Sequence, residues 1–240
     1  MFIITGTSTG IGNALVHALL ESNETVIGIG RKQTIFHEKY THFTPDFLTS
    51  PFDCTHLLPL LKDVQSLTFI HNAGILGTIQ PFHECSVQSF EEVFQVNLMA
   101  GVSIVHQLLN GFAKDRPLKI VFISSGAGKR PIASWSAYCA SKAAVELFCE
   151  TLALEMQIKQ RTNIRCFAIS PGVVDTPMQS QIRSTAITDF PDVTKFHEYK
   201  ANKELANPKL IAQKILYVLN NNFNAVSISL RNIELDSDKP

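Results

Sequence analysis

The chain has 240 residues, of which 45% are hydrophobic and 18% charged, so it can bury a sizeable core. Its 21 Lys and Arg residues balance 21 Asp and Glu residues, which argues against nucleic acid or an anionic membrane surface as a partner. No apolar run approaches the ~20 residues that a membrane span requires. The five cysteines are scattered without a C-x-x-C pair, so we expect reduced thiols and a cytoplasmic location.

Short apolar runs rich in β-branched residues alternate along the chain with segments of helical period. Such runs predict strands buried on both faces, which is typical of a parallel sheet. The runs occupy residues 1–4, 25–29, 67–70, 118–124, 163–170 and 225–230, with a weaker one at 47–52. Long helices are predicted over Ser86–Leu109, Trp135–Ile158 and Pro208–Asn221.

This alternation predicts an α/β fold with right-handed β-α-β units. We expect a single Rossmann-type doubly wound parallel sheet of about seven strands, with helices on both faces and residues 1–240 in one domain. Residues 178–207 are irregular and of mixed polarity. A long excursion of this kind is usually functional, so it is interpreted as a helical flap over the substrate site.

The first predicted strand ends in a glycine-rich turn, Gly6 to Gly12, that opens an amphipathic helix. Gly6 permits a tight turn, Gly10 lets backbone amides approach a pyrophosphate, and Gly12 lets the helix pack closely on the strand. The helix N-terminus adds a favourable dipole for an anion. In this context the turn predicts a dinucleotide site, to which the intervening residues also contribute: Ser8, Thr9 and Ile11.

Residues after the next strands sharpen the cofactor prediction. Gly30 stands where a carboxylate that selects NAD would sit, and Arg31 beside it suits the 2′-phosphate of NADP. Asp53 is expected near the adenine amino group. The backbone of Asn72, Ala73 and Gly74 is expected to pass the adenosine ribose. NADP is therefore the predicted cofactor.

The segment SAYCASK places Tyr138 and Lys142 four residues apart on one face of a predicted helix. In isolation such a pair is more often a half-buried tyrosine with a lysine that reaches past it to water. A nearby ammonium favours phenolate, so Lys142, together with the positive nicotinamide of an oxidised cofactor, is expected to lower the pKa of Tyr138 and make it an effective acid near neutral pH.

Several motifs in order and spacing together resemble the short-chain dehydrogenase/reductase family over essentially the whole chain. They are T-G-x-x-x-G-x-G at 5–12, N-A-G at 72–74, Asn97, Ser125 thirteen residues before Tyr138, Y-x-x-x-K at 138–142, and P-G-x-x-x-T at 171–176. The segments at 125–142 and 170–184 look most like the sepiapterin reductase and benzil reductase branch. His71 replaces the usual leading Asn of the N-A-G motif. Two further features depart from that branch: Thr9 stands where many NADP-using members carry a basic residue, and Ser227 stands where sepiapterin reductases hold the pterin with an aspartate, which argues against a pterin substrate.

The resemblance implies NADPH-dependent reduction of a carbonyl, including one of a vicinal diketone, to an alcohol. It implies a catalytic tetrad of Asn97, Ser125, Tyr138 and Lys142, in which Tyr138 is the general acid and Ser125 orients the substrate oxygen. Further cofactor contacts are implied for Tyr138, Lys142, Pro171, Gly172, Val174 and Thr176. The substrate is expected to meet Ser125, Trp135, Tyr138 and Met178, and Phe82, Ile132 and Ile182 are looser candidates.

Two alternatives remain at this stage. One is a dinucleotide-binding redox sensor or scaffold without turnover, and the other is an NAD-dependent alcohol dehydrogenase. The eight histidines include no H-x-x-x-H or H-x-x-E-H pair, so no metal site is expected. The resemblance also implies a homodimer or homotetramer built on the long helices, with a small-molecule carbonyl substrate.

Overall fold

The computed structural model describes residues 1–112, 116–221 and 223–235. Seven parallel strands form one sheet in the order β3-β2-β1-β4-β5-β6-β7. The strands are β1 (Phe2–Thr5), β2 (Val26–Ile29), β3 (Tyr40–Phe43), β4 (Leu67–His71), β5 (Leu118–Ile123), β6 (Ile164–Ser170) and β7 (Ser227–Ser229).

Helices connect the strands and cover the sheet. They are α1 (Gly10–Glu21), α2 (Val87–Phe94), α3 (Ala100–Gly111), α4 (Ser136–Ile158), α5 (Pro177–Arg183), α6 (Val193–Ala201) and α7 (Pro208–Asn220). A π-helical segment, Gln95–Met99, joins α2 to α3 into one helical run. The long helix predicted over Ser86–Leu109 is thus confirmed, with a π-turn in its middle.

Two apolar layers flank the sheet. On one face, α3 and α4 pack their buried side chains against the strands, for example Ile104, Val145 and Cys149. On the other face, α1 and α7 supply Leu15 and Ile215 among others. A parallel sheet whose strands are buried on both sides explains the continuous apolar runs in the sequence. The predicted doubly wound α/β fold is confirmed.

The predicted strand at 47–52 is wrong. Phe47 and Phe52 lie in the core with only 6% and 7% of their surface exposed, but they anchor an irregular segment. The Asp46 side chain accepts a hydrogen bond from the Leu48 amide at 3.0 Å and so starts a turn there. The third strand lies earlier, at Tyr40–Phe43, on the edge of the sheet.

Strand order reverses between β1 and β4, because β1 pairs with β2 on one side and with β4 on the other. In doubly wound sheets, ligands bind at the carboxyl ends of the strands beside such a switch point. The glycine turn after β1 and the 72–74 segment after β4 meet at this edge. Residues 113–115, 222 and 236–240 of the predicted domain lie outside the described residues.

Candidate active site

The glycine turn has the backbone that the sequence predicts. Gly6 and Gly10 have φ values of +71° and +59°, which favour glycine. A Cβ on Gly6 would lie 2.8 Å from the Ala73 Cα, so this turn packs directly against the segment after β4. Thr9, at the N-cap of α1, makes no side-chain capping bond, and no acidic residue occupies the first helical turn. The helix N-terminus therefore keeps backbone amides and a positive dipole end suited to an anion.

The loop after β2 is tied to the glycine turn. The Ser8 hydroxyl donates to the Lys32 carbonyl at 3.1 Å, and the Thr34 hydroxyl donates to the Ser8 carbonyl at 3.3 Å. Arg31 is exposed in this loop. A Cβ on Gly30 would have its nearest neighbours 3.8 Å away, at the amides of Gly6 and Thr7. Arg31 thus stands on a loop that is bonded directly to the predicted phosphate turn.

A hydrogen-bond chain that sequence reasoning missed supports this turn from β3. The Thr7 hydroxyl lies 2.9 Å from the Tyr40 hydroxyl, which lies 2.7 Å from His42 Nδ1. His42 Nε2 lies 2.9 Å from the Gly30 carbonyl oxygen. Burial raises the pKa of Tyr40, so its hydroxyl stays neutral and can donate. The Tyr40 ring crosses Gly28, where a Cβ would clash with its hydroxyl.

Asn72 and Ala73 fix the segment after β4 against the turn. Both backbone amides donate to the Thr5 hydroxyl oxygen at 3.0 Å. The Asn72 side-chain amide donates to the carbonyls of Thr5 and Gly6 at 3.2 and 2.9 Å. A Cβ on Gly74 would lie 3.4 Å from Asn97 Oδ1 and 3.7 Å from Lys142 Nζ. The bare Gly74 backbone thus faces two of the predicted tetrad residues.

His71, another residue that sequence reasoning did not assign, bridges the turn and the π-helical segment. Its Nδ1 lies 3.0 Å from the Thr5 hydroxyl and its Nε2 lies 3.0 Å from the Val96 carbonyl. Because the Thr5 oxygen already accepts two amides, its proton points to Nδ1, and the imidazole then carries its proton on Nε2. Burial, with a smaller repulsion from Lys142, lowers the pKa of His71 to about 3. A neutral imidazole therefore sits beneath the site.

Asn97 lies in the π-helical segment, fully buried. Its Oδ1 accepts from the Ile75 amide at 2.8 Å. Its amide donates to the Ile75 carbonyl and to the Ser141 hydroxyl, both at 3.0 Å. The Ser141 hydroxyl donates in turn to the Tyr138 carbonyl at 2.9 Å. Asn97 therefore links the helical run, the segment after β4 and helix α4.

Ser125, at the end of β5, is hydrogen-bonded through its side chain to the Tyr138 hydroxyl. The Ser125 hydroxyl oxygen also accepts from the Ala127 amide at 3.2 Å. Tyr138 is buried, with 7% of its surface exposed. Two hydroxyl groups thus stand together at the carboxyl edge of the sheet, next to the segment that carries Gly74.

Lys142 lies beneath this hydroxyl pair, also buried. Its ammonium donates to the Ile123 carbonyl at 2.7 Å and lies 5.7 Å from the centroid of the Tyr138 ring. Burial lowers the pKa of Lys142 to about 8, while the negative charge of Glu146 acts in the opposite direction. The predicted lowering of the Tyr138 pKa is wrong for this structure. Burial raises that pKa to about 12 and outweighs the hydrogen bond from Ser125.

The segment after β6 closes the far side of the glycine turn. Gly172 has φ +83°, and Val174 is buried and forms a parallel bridge with Ala206. Thr176 is the N-cap of α5, and a Cβ on Gly10 would lie 3.0 Å from its methyl carbon. The predicted cofactor segment from Pro171 onward therefore lies against the predicted phosphate turn.

Asp53 is exposed and bonded locally. Its carboxylate accepts from the Thr55 amide at 2.9 Å and from the Thr55 hydroxyl at 2.8 Å. These bonds lower its pKa and cap the short 3₁₀ turn Cys54–His56. The structure thus assigns Asp53 a capping role, and its adenine contact stays a prediction.

An apolar cluster, which we call the flap cluster, covers Tyr138. Its aromatic members are Trp135, Phe190 and Phe196, around which lie Leu76, Ile79, Ala127, Ile182 and Val193. Met178 and Ile132 pack against it, and their contact with a substrate stays a prediction. Phe82 lies elsewhere, 67% exposed and in edge contact with Phe90. Phe190 and Phe196 were missed, because the sequence around them shows little periodicity.

Nothing in the described residues indicates a metal ion or a membrane span. No group of three or more His, Cys, Asp or Glu side chains in that part of the chain is arranged to hold a metal. No helix there is both long and apolar enough to cross a bilayer.

A glycine turn at the switch point of a doubly wound sheet is the arrangement of a dinucleotide-binding protein. Residues 1–187 match the short chain dehydrogenase family. This match spans more than half of the chain, so the protein belongs to that family and is an oxidoreductase of its class.

Similar proteins include a benzil reductase ((S)-benzoin forming) from Bacillus subtilis (strain 168). It is 33% identical over 226 residues, covering 91% of this chain and 93% of that protein. The short chain dehydrogenase/reductase YIR035C of Saccharomyces cerevisiae has a crystal structure with TM-score 0.83 and 26% identity, covering 100% and 99% of the two chains. A short chain dehydrogenase from Shigella flexneri complexed with NADP has TM-score 0.74 and 26% identity, with 96% of each chain covered.

Proposed function

We propose that the protein reduces a ketone, including one carbonyl of a vicinal diketone, to an alcohol with NADPH, and that Tyr138 supplies the proton. The observation that carries this proposal is the buried Ser125–Tyr138 hydroxyl pair above Lys142, beside the glycine turn. The benzil reductase relative supports a diketone as the substrate class.

The residues of this chain fit a dinucleotide. The uncapped N-terminus of α1 suits the pyrophosphate, and the bare backbone of Gly74 leaves a cradle beside Lys142. We propose that the cofactor is held by the glycine turn, Arg31, the 72–74 segment, Tyr138, Lys142 and the segment from Pro171 to Thr176. When bound, NADPH supplies the hydride that the carbonyl carbon receives.

The chain's own residues then act on the carbonyl oxygen. Ser125 donates a hydrogen bond that orients this oxygen, and Tyr138 transfers its proton to it. Burial raises the pKa of Tyr138 to about 12, so it holds its proton at neutral pH. Transfer of that proton to the substrate oxygen therefore depends on stabilisation of the phenolate. The charged Lys142 below the ring stabilises the phenolate that develops as the proton leaves.

The direct test is NADPH oxidation with benzil, with quinone and pterin panels alongside. Tyr138→Phe should lower kcat by about 10²–10⁴-fold, because it removes the general acid. NADPH affinity, measured by titration, should stay near the wild-type value. Retained turnover would place the proton source elsewhere. Binding of NADPH without any turnover by the wild type would favour the sensor alternative.

Arg31→Ala tests the NADP preference. We expect about 10–100-fold weaker NADPH binding, since a charge-assisted contact to the 2′-phosphate is lost, and little change for NADH. Calorimetric titration of both cofactors measures this. Lys32→Ala, which removes the neighbouring exposed charge, is the matched control. Equal losses for both cofactors would contradict a 2′-phosphate role and revive the NAD-dependent alternative.

We propose that residues 178–207 act as the flap. Helices α5 and α6 lie in this range, and their apolar side chains help to bury Tyr138. Side-chain contacts tether the flap: Ser134 Oγ donates to the Asp189 carbonyl at 2.5 Å, Gln181 donates to the Gly77 carbonyl at 3.2 Å, and Lys200 pairs with Asp175 at 2.7 Å.

We also propose a homodimer or homotetramer in the cytoplasm. Leu147, Leu154 and Ile158 are 65%, 55% and 68% exposed on α4, at spacings that put them on one helix face. Burying such a face against a second copy would remove an exposed apolar patch. All five cysteines are free, which suits a reducing compartment. Sedimentation should give at least a dimer, and a monomer at all concentrations would contradict the assembly.

A further inference from the structure

The indole N–H of Trp135 is a buried donor to which the described residues offer no acceptor. Trp135 is 7% exposed, so bulk water does not satisfy this group. Buried polar groups nearly always have a hydrogen-bond partner, and an exception calls for an explanation such as a ligand or an ordered water.

The surroundings of the ring are apolar. It stacks on Phe190 with 5.4 Å between centroids and an interplanar angle of 18°, and it lies 5.5 Å from the Phe196 ring. It also makes edge-to-face contact with the Tyr138 ring at 5.6 Å and 85°. The walls of the flap cluster therefore offer aromatic and aliphatic carbon, and a molecule bound against them can supply the missing acceptor.

The backbone holds this ring in place beside the catalytic tyrosine. Ser134 has φ +67°, an uncommon conformation for a residue other than glycine, and its hydroxyl bonds the Asp189 carbonyl. The Trp135 amide donates to the Ile132 carbonyl at 3.2 Å. Trp135 is also the residue immediately before helix α4, which carries Tyr138 one turn later. The indole is thus preorganised relative to the general acid.

We propose that the Trp135 indole N–H donates to the second carbonyl oxygen of a vicinal dicarbonyl substrate, whose first carbonyl oxygen is bound by Ser125 and Tyr138. The inference rests on the proposed function and deepens it. In a 1,2-diketone the second carbonyl is attached directly to the reacting carbon, so its oxygen lies within reach of a group in contact with Tyr138. The aryl group of such a substrate meets the aromatic walls made by Phe190 and Phe196.

This donor makes Trp135 a specificity-determining residue. A site built to hydrogen-bond a substrate group discriminates strongly against an analogue that lacks it, because the buried donor is then left unpaired. With the second oxygen bound to Trp135, the first carbonyl is the one presented to Ser125 and Tyr138.

The kinetic test compares benzil with deoxybenzoin, which lacks only the second carbonyl oxygen, in wild type and Trp135→Phe. The variant keeps an aromatic ring and loses the N–H. We expect kcat/KM for benzil to fall roughly tenfold or more, while that for deoxybenzoin changes less than about twofold. An equal change for both substrates would mean that Trp135 only packs, and would overturn the proposal. Phe196→Leu disturbs the same cluster without removing a donor, so it should affect both substrates alike.

A second readout does not depend on turnover. The chain has a single tryptophan, so its indole N–H gives one resonance in a ¹H–¹⁵N spectrum of the wild type. Saturating benzil should move this resonance downfield, as expected when the proton gains an acceptor, and deoxybenzoin should not. If benzil leaves the resonance unmoved, the proposal is overturned. The N–H then either bonds a water that benzil does not displace, or benzil does not bind. A downfield shift without NADPH oxidation would instead support the Trp135 contact and contradict the proposed reaction.

Discussion

Burial displaces the pKa values of Lys142 and Tyr138 in opposite directions. It disfavours the charged form of each, so the ammonium pKa falls to about 8 and the phenol pKa rises to about 12. Lys142 therefore loses its charge well before Tyr138 ionises. Glu146 opposes the fall in the Lys142 pKa, since its negative charge favours the ammonium.

The pH profile of reduction should follow Lys142. We expect kcat/KM to fall as the pH rises through about 8, because neutral Lys142 no longer stabilises the developing phenolate. Glu146→Gln should move this limb to lower pH, since it removes the charge that supports the ammonium. Glu150→Gln, one turn further along α4, is the control. If the pH profiles of kcat/KM were identical for wild type and Glu146→Gln, the ionisation of Lys142 would not cause the fall at high pH.

At the residue level, the sequence predicted the groups that share a motif and missed those joined only in three dimensions. Tyr138 and Lys142 lie one turn apart on a helix, so local spacing put them on one face, and the other motifs in order gave the pair its predicted role. His71 bonds Val96 across 25 residues, and Tyr40 bonds Thr7 across 33. Contacts of that separation depend on strand order, which single-sequence patterns do not specify.

At the level of elements, the strands with long apolar runs were predictable and the short edge strand was not. β3 has a single neighbour, β2, and carries the polar sequence YTHF. Phe47 and Phe52 in the next segment are buried, and their apolar pattern predicted a strand, although they anchor an irregular loop. The π-turn around Asn97 was equally invisible, since periodicity does not separate it from the α-helices on either side. Such π-turns are frequent at functional sites.

The flap elements depend on a small number of polar tethers. Ser134→Ala removes the hydroxyl that bonds the Asp189 carbonyl, a contact of the size that contributes about 0.5–1.5 kcal/mol. We expect amide hydrogen exchange in residues 186–201 to become roughly 2–10-fold faster, while β5 stays protected.

The control for this experiment is Ser184→Ala. The Ser184 hydroxyl bonds the Gln181 carbonyl within the same helical segment, so its loss leaves the tethers intact. If Ser134→Ala left exchange of the flap unchanged, the Ser134 contact would not hold the flap closed.

The molecule as a whole places a titratable group in the centre of its sheet. His71 has a pKa of about 3 in the folded protein against 6.5 when unfolded, so between these values the unfolded chain binds the extra proton. Stability therefore rises with pH across this window and is lost as the pH falls from about 6.5 toward 3. The loss that His71 causes is on the order of a few kcal/mol.

Urea unfolding at pH 7 and pH 4 measures this linkage. His71→Gln retains a donor and an acceptor but does not titrate, so we expect it to lose less stability than the wild type on acidification. His106→Gln changes an exposed histidine of α3, so it should lose as much stability between pH 7 and pH 4 as the wild type does. Parallel pH dependence in wild type and His71→Gln would refute the assignment.

Two glycines at the end of β2 differ in what they permit. Gly28 cannot carry a side chain without displacing Tyr40, so a substitution there would disrupt the hydrogen bonds by which β3 supports the glycine turn. A Cβ on Gly30, two residues on, would make only ordinary van der Waals contact, 3.8 Å from the amides of Gly6 and Thr7. A redesign of the proposed coenzyme preference can therefore begin with Gly30→Asp, because the Cβ of the new residue clashes with nothing in the strand beneath it.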